Sequence, residues 1–376
     1  MEHYLDNAAT TAVCPEAAEE AVKAMTLCYG NPSSTHRKGR EAAKLLAQSR
    51  GEVADALGCR PEELVFTSCG SESDNWAVLG GAESARRTGR HIVSSLAEHD
   101  AIRRSLDLLE QQGWEITRLR PDPSGAIRVE DVRAALRADT ALVSLMMVNN
   151  ETGGVTDIAG IAQMLRAEGS RALLHTDAVQ AFLKVPFSAK TLGADLKSIS
   201  GHKIHAPKGV GALYIRPGLR LKPFIVGGSQ ESGRRAGTEA AGQIAAFGAA
   251  ARIAKAGLAE NCARMAALRV GMLDRLRAEI PELQWIEAAA PHILNVSLPG
   301  WRSEVLMNFL EAREIYVSKS SACKKGGRSH VLEAMGLSPR VIDGALRISL
   351  SRYTTSDDVD ALCRALKDAH DTLSHR

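Results

Sequence analysis

Ala172-Leu-Leu-His-Thr-Asp177, then Asp195-Leu-Lys-Ser-Ile-Ser200 and Gly201-His-Lys203, is the stretch whose reading decides the fold. Short apolar runs bounded by turn residues read as buried strands, since they are too brief for core helices. Working outward, strand-like runs fall at 64–67, 91–94, 114–119, 141–148, 172–176, 195–200 and 210–215. Amphipathic helical stretches separate most of them, near 72–87, up to 109, 130–137 and 158–167. That alternation predicts an α/β fold with a mostly parallel sheet and helices on both faces. In such sheets ligands bind beyond the carboxyl ends of the strands. After Gly237 the rhythm changes to a long alanine-rich helical stretch, 238–280. Strand-like 293–297, a helix near 304–313, and 315–318 and 346–351 follow. A second, smaller α+β domain is therefore expected.

Composition bounds the function. The 376 residues suffice for two domains or one large elaborated one. Apolar content of 45% and charged content of 24% are those of an ordinary globular protein. A net charge of +3, from 47 basic and 44 acidic residues, argues for neither a nucleic acid nor an anionic membrane as partner. Met1 to Asp6 carries no basic segment followed by an apolar one, so no signal peptide is expected. The apolar run 141–148 is too short to cross a bilayer. The seven cysteines are scattered and odd in number, with no Cys-x-x-Cys pair. This pattern fits free thiols in a reducing cytoplasm and excludes a disulfide framework or a zinc site.

Lys203 and Asp177 carry the first chemical signal. A lysine beyond one strand end can hold a carbonyl cofactor as a Schiff base, and an aspartate at another can hold a pyridinium proton. A carboxylate at a buried strand end is costly unless paired, and a pyridinium nitrogen is such a partner. The plain alternative for Lys203 is a surface lysine following a strand. Phe66-Thr-Ser-Cys-Gly-Ser71 ends a strand and opens a helix, with Ser71 as N-cap, which leaves N–H groups aimed at an anion. Ser320-Ser-Ala-Cys323-Lys-Lys-Gly-Gly-Arg-Ser329 is polar and glycine-bearing, hence an exposed loop. There Lys324 and Lys325 favour the thiolate of Cys323.

Further segments complete a pattern: Tyr4-Leu-Asp-Asn-Ala-Ala-Thr-Thr, Gly30-Asn-Pro-Ser-Ser, Glu72-Ser-Asp-Asn, Glu98-His-Asp-Ala, Asn149-Asn-Glu-Thr-Gly and Arg235-Ala-Gly-Thr. With Phe66-Thr-Ser, Ser200-Gly-His-Lys and Ser321-Ala-Cys, they stand in the order and spacing of the cysteine desulfurases. The chain from about Tyr4 to Asp358 resembles the NifS/IscS-like branch of the class V, fold-type-I pyridoxal phosphate (PLP) enzymes. The resemblance implies a large PLP-binding domain, 15–255, built on a seven-stranded type of sheet. It implies a small α+β domain formed by 1–14 and 256–376, which carries the Cys323 loop.

For the site, the resemblance implies PLP bound through Lys203, with Asp177 on the ring nitrogen and Gln180 on the phenolic oxygen. His99 stacks on the ring and moves protons. Gly70, Ser71, Ser200 and His202 hold the phosphate, and Thr238 arrives from the other subunit of a homodimer. Asn150 contacts the cofactor oxygen and the substrate carboxylate, and Arg347 clamps that carboxylate, with Arg352 as its nearest competitor. An arginine suits this role because its planar fork meets a carboxylate through two parallel bonds. The family usually has glycine where this chain has Cys69, and its Cys323 loop departs by Lys-Lys-Gly-Gly and by being shorter than the long IscS-like version. Cys14, Cys28, Cys59, Cys69, Cys262 and Cys363 are read as structural.

The implied reaction converts L-cysteine to L-alanine and leaves its sulfur on Cys323 as a persulfide. The sulfur would pass to a protein acceptor or small thiol, for iron–sulfur cluster assembly, tRNA thiolation or another pathway. A selenocysteine lyase, another class V aminotransferase or lyase, and a non-catalytic partner that keeps the fold are the alternatives. Selenocysteine turnover, keto-acid-dependent amino transfer and loss of PLP absorbance, respectively, would reveal them.

Overall fold

The computed structural model describes residues 2–320 and 327–373. Its centre is a seven-stranded sheet of β1 (Leu64–Thr67), β2 (His91–Ser95), β3 (Glu115–Leu119), β4 (Thr140–Ser144), β5 (Leu173–Asp177), β6 (Leu196–Ser200) and β7 (Gly211–Ile215). The spatial order is β1-β7-β6-β5-β4-β2-β3. The pairs β2–β3, β2–β4, β4–β5 and β5–β6 are parallel, and β7 is antiparallel to both β6 and β1. β7 thus runs against the other strands, whose carboxyl ends share one edge of the sheet.

The strand sequences explain the layering. Leu64-Val-Phe-Thr, His91-Ile-Val-Ser-Ser and Gly211-Ala-Leu-Tyr-Ile are buried at every position, as expected when helices cover both faces. The edge strand β3 is only partly buried, and its Arg118 pairs with Glu110 and Asp107. Charge on an edge discourages pairing with another chain. The expected strand 141–148 ends at Ser144, and residues 145–148 leave the sheet toward the site.

Helices α1 (Pro15–Thr26) and α2 (Arg37–Leu57) pack on α6 (Ala241–Ala256), with Phe247 meeting Phe66 and Phe182 edge-on. α2 stops at Gly58, whose φ of 75° is left-handed and whose missing Cβ would lie 2.3 Å from Ser188 Oγ. No L-side chain fits there. Between these helices in sequence lie α3 (Gly70–Asn75), which continues through a π-turn to Ser84, α4 (Asp100–Gln111) and α5 (Ile158–Ala167). The single long helix expected over 238–280 is two, α6 and α7 (Leu258–Glu279), broken at Gly257.

An antiparallel four-stranded sheet follows, of β8 (Gln284–Trp285), β9 (Ile293–Ser297), β10 (Ser318–Lys319) and β11 (Ala345–Ser349), ordered β10-β11-β9-β8. Helix α8 (His330–Ala334) precedes β11, and α9 (Ser356–Thr372) follows it behind a capping box of Thr355 and Asp358. This region has its own apolar core, in which Met272, Leu276, Leu306, Ile348 and Leu362 are buried. Leu5 joins that core although it lies near the amino terminus, and His3 and Tyr4 pair with Ile315 and Tyr316. No described helix is long and apolar enough to cross a membrane.

Candidate active site

Chain segments leaving β1, β2, β4, β5 and β6 converge on a cavity of about 320 Å³. Its wall includes Gly70, Ser71, His99, Asn150, Asp177, Gln180, Ser200, His202, Lys203 and Arg347. Thr238 is exposed and is not part of the wall. Cys323 lies outside the described residues.

Asp177 ends β5 and is buried, its Oδ1 accepting the Val179 N–H at 2.8 Å. Burial raises its carboxyl pKa, while His99, that N–H and Lys203 act the other way. Asp74, on α3, also lines the cavity and is buried; burial and then the Asp177 charge raise its pKa well above the usual range. Two carboxyls so placed do not both ionise readily. The sequence marks Asp74 only as the residue three beyond Ser71 at the start of the helix, within Glu72-Ser-Asp-Asn, and not as a site residue. Behind them His175 is held neutral by burial, its pKa down to about 3, between Ser144 Oγ at 2.9 Å and Ser198 Oγ at 3.1 Å.

Lys203 closes the 3₁₀ turn Gly201–Lys203 after β6, and its ammonium donates to the carbonyls of Ala8 at 2.7 Å and Ala9 at 2.8 Å. Gln180 donates to Ala8 O at 2.8 Å and accepts from Lys184 at 3.2 Å. The amino-terminal segment therefore forms one wall of the site.

His99 is the N-cap of α4, and its Nδ1 accepts the Ala101 N–H at 3.2 Å. An amide can only donate, so neutral His99 carries its proton on Nε2. Glu98 before it is buried, with Ser95 Oγ at 2.5 Å and the Met146 N–H at 3.2 Å on one oxygen. Burial pushes that carboxyl up to about 8.

At the opposite end, the N-cap of α3 is Cys69 rather than the expected Ser71, and it makes no side-chain cap bond. Ser71 is the second residue of the helix, and the absence of a side-chain cap leaves the first amides for another acceptor. Cys69 has φ −174° and ψ 172°, extended backbone open to any residue. Replacing glycine here carries no backbone penalty, and Cys69 lines the cavity instead of a core. A Cβ on Gly70 would lie 2.9 Å from Val179 Cγ2, so the approach to these amides stays open only with glycine. Ser200 Oγ is buried without a protein partner. His202 bonds Thr10 Oγ1 at 3.1 Å, and burial followed by Lys203, Lys184 and Lys208 lowers its pKa to about 4. It is a neutral donor or acceptor, not a cation.

Arg347, on β11, is 2% exposed; it donates to Asn150 O at 3.0 Å and to Asp6 Oδ1 at 2.8 Å, while its Nε has no acceptor. Asp6 was not among the expected site residues, although Tyr4-Leu-Asp-Asn contains it. Arg352 faces an adjoining cavity and not this one. The residues bordering the Cys323 segment are tied to the same turn. Asn295 donates to Ser320 Oγ at 2.6 Å and to Glu151 O at 3.1 Å, and Ser329 Oγ donates to Glu151 Oε2 at 2.5 Å. In chemical terms the cavity offers helix amides and a hydroxyl to an anion at one end. It offers a carboxyl to a cationic N–H at the other, with an amine and an imidazole between.

The fold and this site define a class V aminotransferase: the chain belongs to that family, whose model matches residues 3–362. Among curated relatives, "Cysteine desulfurase 2" of Trichormus variabilis is 43% identical over 368 residues, 96% of this chain and 92% of its own. A solved "NifS-like protein" superposes with a TM-score of 0.93 at 36% identity, covering 99% of this chain and 100% of its own. "SspA in complex with cysteine" superposes with a TM-score of 0.80 at 31% identity, covering 94% and 100%.

Proposed function

We propose that the chain is a PLP-dependent cysteine desulfurase, which converts L-cysteine to L-alanine and passes the sulfur to Cys323. The observation that carries this reading is the joint placement of Lys203, Asp177 and Arg347 around one cavity, in a chain 43% identical to a named cysteine desulfurase.

The residues present fit the cofactor. The unpartnered Ser200 hydroxyl and the open amides after Cys69 suit a phosphate. The buried Asp177 suits a pyridinium N–H, since ionising that carboxyl needs a cation beside it. When bound, PLP supplies an electron sink for the carbanion formed at the substrate Cα. Lys203 would hold the cofactor and, once released, carry the Cα proton. Asn150 and Arg347 would orient the L-cysteine carboxylate, with Asp6 fixing the far side of the guanidinium. His99, its proton on Nε2, would serve the second proton transfer. Cys323 would take the sulfur as its thiolate: the substrate C–S bond breaks, an S–S bond forms, and the carbon fragment gains a proton to leave as alanine. Thiol and cysteine become persulfide and alanine with no outside oxidant.

A homodimer is the proposed assembly. Leu27, Tyr29 and Val226 are 62%, 66% and 85% exposed, and a second subunit would take such apolar side chains out of water. Thr238, exposed and outside its own cavity, is assigned to the partner's phosphate site. The division into 15–255 and 1–14 with 256–376 is kept as the domain proposal, supported by Leu5 sharing the second core. Free thiols at Cys14, Cys28, Cys59, Cys69, Cys262 and Cys363 favour a reducing cytoplasm. A sulfur-acceptor protein, in iron–sulfur assembly or tRNA thiolation, is the proposed partner.

The test is alanine release from L-cysteine by the PLP-loaded protein with a reductant, for wild type and Cys323→Ser. Alanine from wild type alone is expected. Equal release from both would move the sulfur chemistry off Cys323, and none from either would overturn the reading.

A further inference from the structure

A second, small cavity of about 30 Å³ adjoins the site cavity, and Lys203 lines both. Its charged and titratable wall is entirely basic: Lys184, Lys203, His205 and Arg352. The remaining wall, from the amino-terminal segment, α6, α7 and the end of β11, brings Asn7, Thr11, Asn261, Ser351 and apolar side chains, but no carboxylate. All three guanidinium nitrogens of Arg352 are buried without a hydrogen-bond acceptor in the protein. The described contact of this group is its own neighbour's ring, Tyr353, 5.1 Å away.

We propose that this cavity is a binding site for one small inorganic anion of the size of chloride or bicarbonate, held by the Arg352 guanidinium. An arginine cannot shed its proton, so a guanidinium out of water without an acceptor stays costly until something anionic or strongly accepting meets it. Lys184 differs in this respect. Its ammonium has Gln180 Oε1 at 3.2 Å, and burial, then Lys203 and Arg347, lower its pKa well below the usual value.

The neutral groups are consistent with that division. Asn7 Nδ2 is committed to the carbonyls of Tyr4 at 3.1 Å and Ser349 at 3.0 Å, and Thr11 Oγ1 to His202 O at 3.0 Å. His205, its pKa down to about 4 through burial and then Arg352, bonds Ala12 O through Nδ1 at 2.9 Å, so its proton is spent there. Ser351 Oγ accepts from the Tyr353 N–H at 3.2 Å and keeps its own proton to donate. The donors the wall can turn to a ligand include the guanidinium, the Ser351 hydroxyl and the Asn261 amide N–H, a set that selects an anion. The volume suits one such ion, given that a water needs about 10–15 Å³ measured the same way. An anion here would also shield Lys203 from the Arg352 charge. The proposal does not depend on the desulfurase reading.

The experiment uses the full-length protein in a gluconate buffer of constant ionic strength, with bromide, chloride and bicarbonate titrated separately against thermal unfolding. The expected result is a saturable rise in Tm, about 2 °C at a tenfold excess over Kd, that Arg352→Gln abolishes. The anion with the lower half-saturation, chloride or bicarbonate, identifies the source. Bromide-soaked crystals of the wild type serve even if that variant does not fold, and should show an anomalous peak at the Arg352 guanidinium. Tm curves that stay flat against all three anions, or rise equally in Arg352→Gln, would overturn the proposal, as would water or a second chain's carboxylate against Arg352 in place of bromide.

Discussion

Replacing Glu151 by Gln should flatten one specific part of the protein's pH–stability profile. Glu151 is 5% exposed and lies between Asn150 and the residues bordering the Cys323 segment, with Ser329 Oγ 2.5 Å from its carboxyl. Burial raises its pKa from 4.5 to about 7, against the pull of Ser329 and then of Arg347 and Arg103. The folded-state value lies above the unfolded one, so the fold favours the protonated carboxyl. That contribution is complete below about pH 4.5 and is lost as pH rises through 7. At 1.36 kcal/mol for each tenfold change in proton affinity, the loss amounts to about 3 kcal/mol. Glutamine keeps an oxygen for Ser329 and does not titrate. The assay is urea unfolding of wild type and Glu151→Gln at steps from pH 5 to pH 8, because their difference cancels every other titrating group. Wild type should lose about 2–3 kcal/mol relative to the variant across that range. Parallel profiles, within about 1 kcal/mol, would refute the burial argument.

Arg347→Ala removes the guanidinium proposed to clamp the substrate carboxylate and should raise KM for L-cysteine roughly 10- to 100-fold, measured by initial rates of alanine release. Burial and then the Asp177 charge raise the Asp74 carboxyl well above the usual range, so it stays protonated and Asp74→Asn, uncharged and close in shape, should leave the acid limb of activity in place; a limb moved to lower pH would show that Asp74 carries a charge. Ser329→Ala takes away the N-cap of α8, whose Oγ accepts the Leu332 N–H at 3.1 Å, and should cost about 1–2 kcal/mol by urea unfolding. Cys69→Gly should leave alanine release unchanged and shift stability by no more than about 1 kcal/mol, because the backbone there is extended.

The alternation of strands and helices, and the chemistry waiting at the strand ends, were legible because both are local. Buried strands announce themselves by short apolar runs, and motifs such as Ser200-Gly-His-Lys203 keep their spacing in the chain. Boundaries drifted where tertiary contacts override local preference. Residues 145–148 are as apolar as a strand but turn out of the sheet, and Gly257 breaks an alanine-rich helix that its composition would continue. The N-cap moved from Ser71 to Cys69 because capping follows backbone geometry, and the residue there makes no cap bond to signal it.

By itself the sequence determined the α/β class, the lysine and aspartate pair and the resemblance that joins them to a thiol at Cys323. Only the tertiary structure decided which groups share a charge. Asp6 grips Arg347 across 341 residues of chain, Asp74 sits with Asp177 in one buried wall, and Arg352 turns from the cofactor cavity into its own. Such pairings depend on the packing of distant elements, and a buried charge takes its meaning from the neighbours that packing brings, which no local pattern encodes.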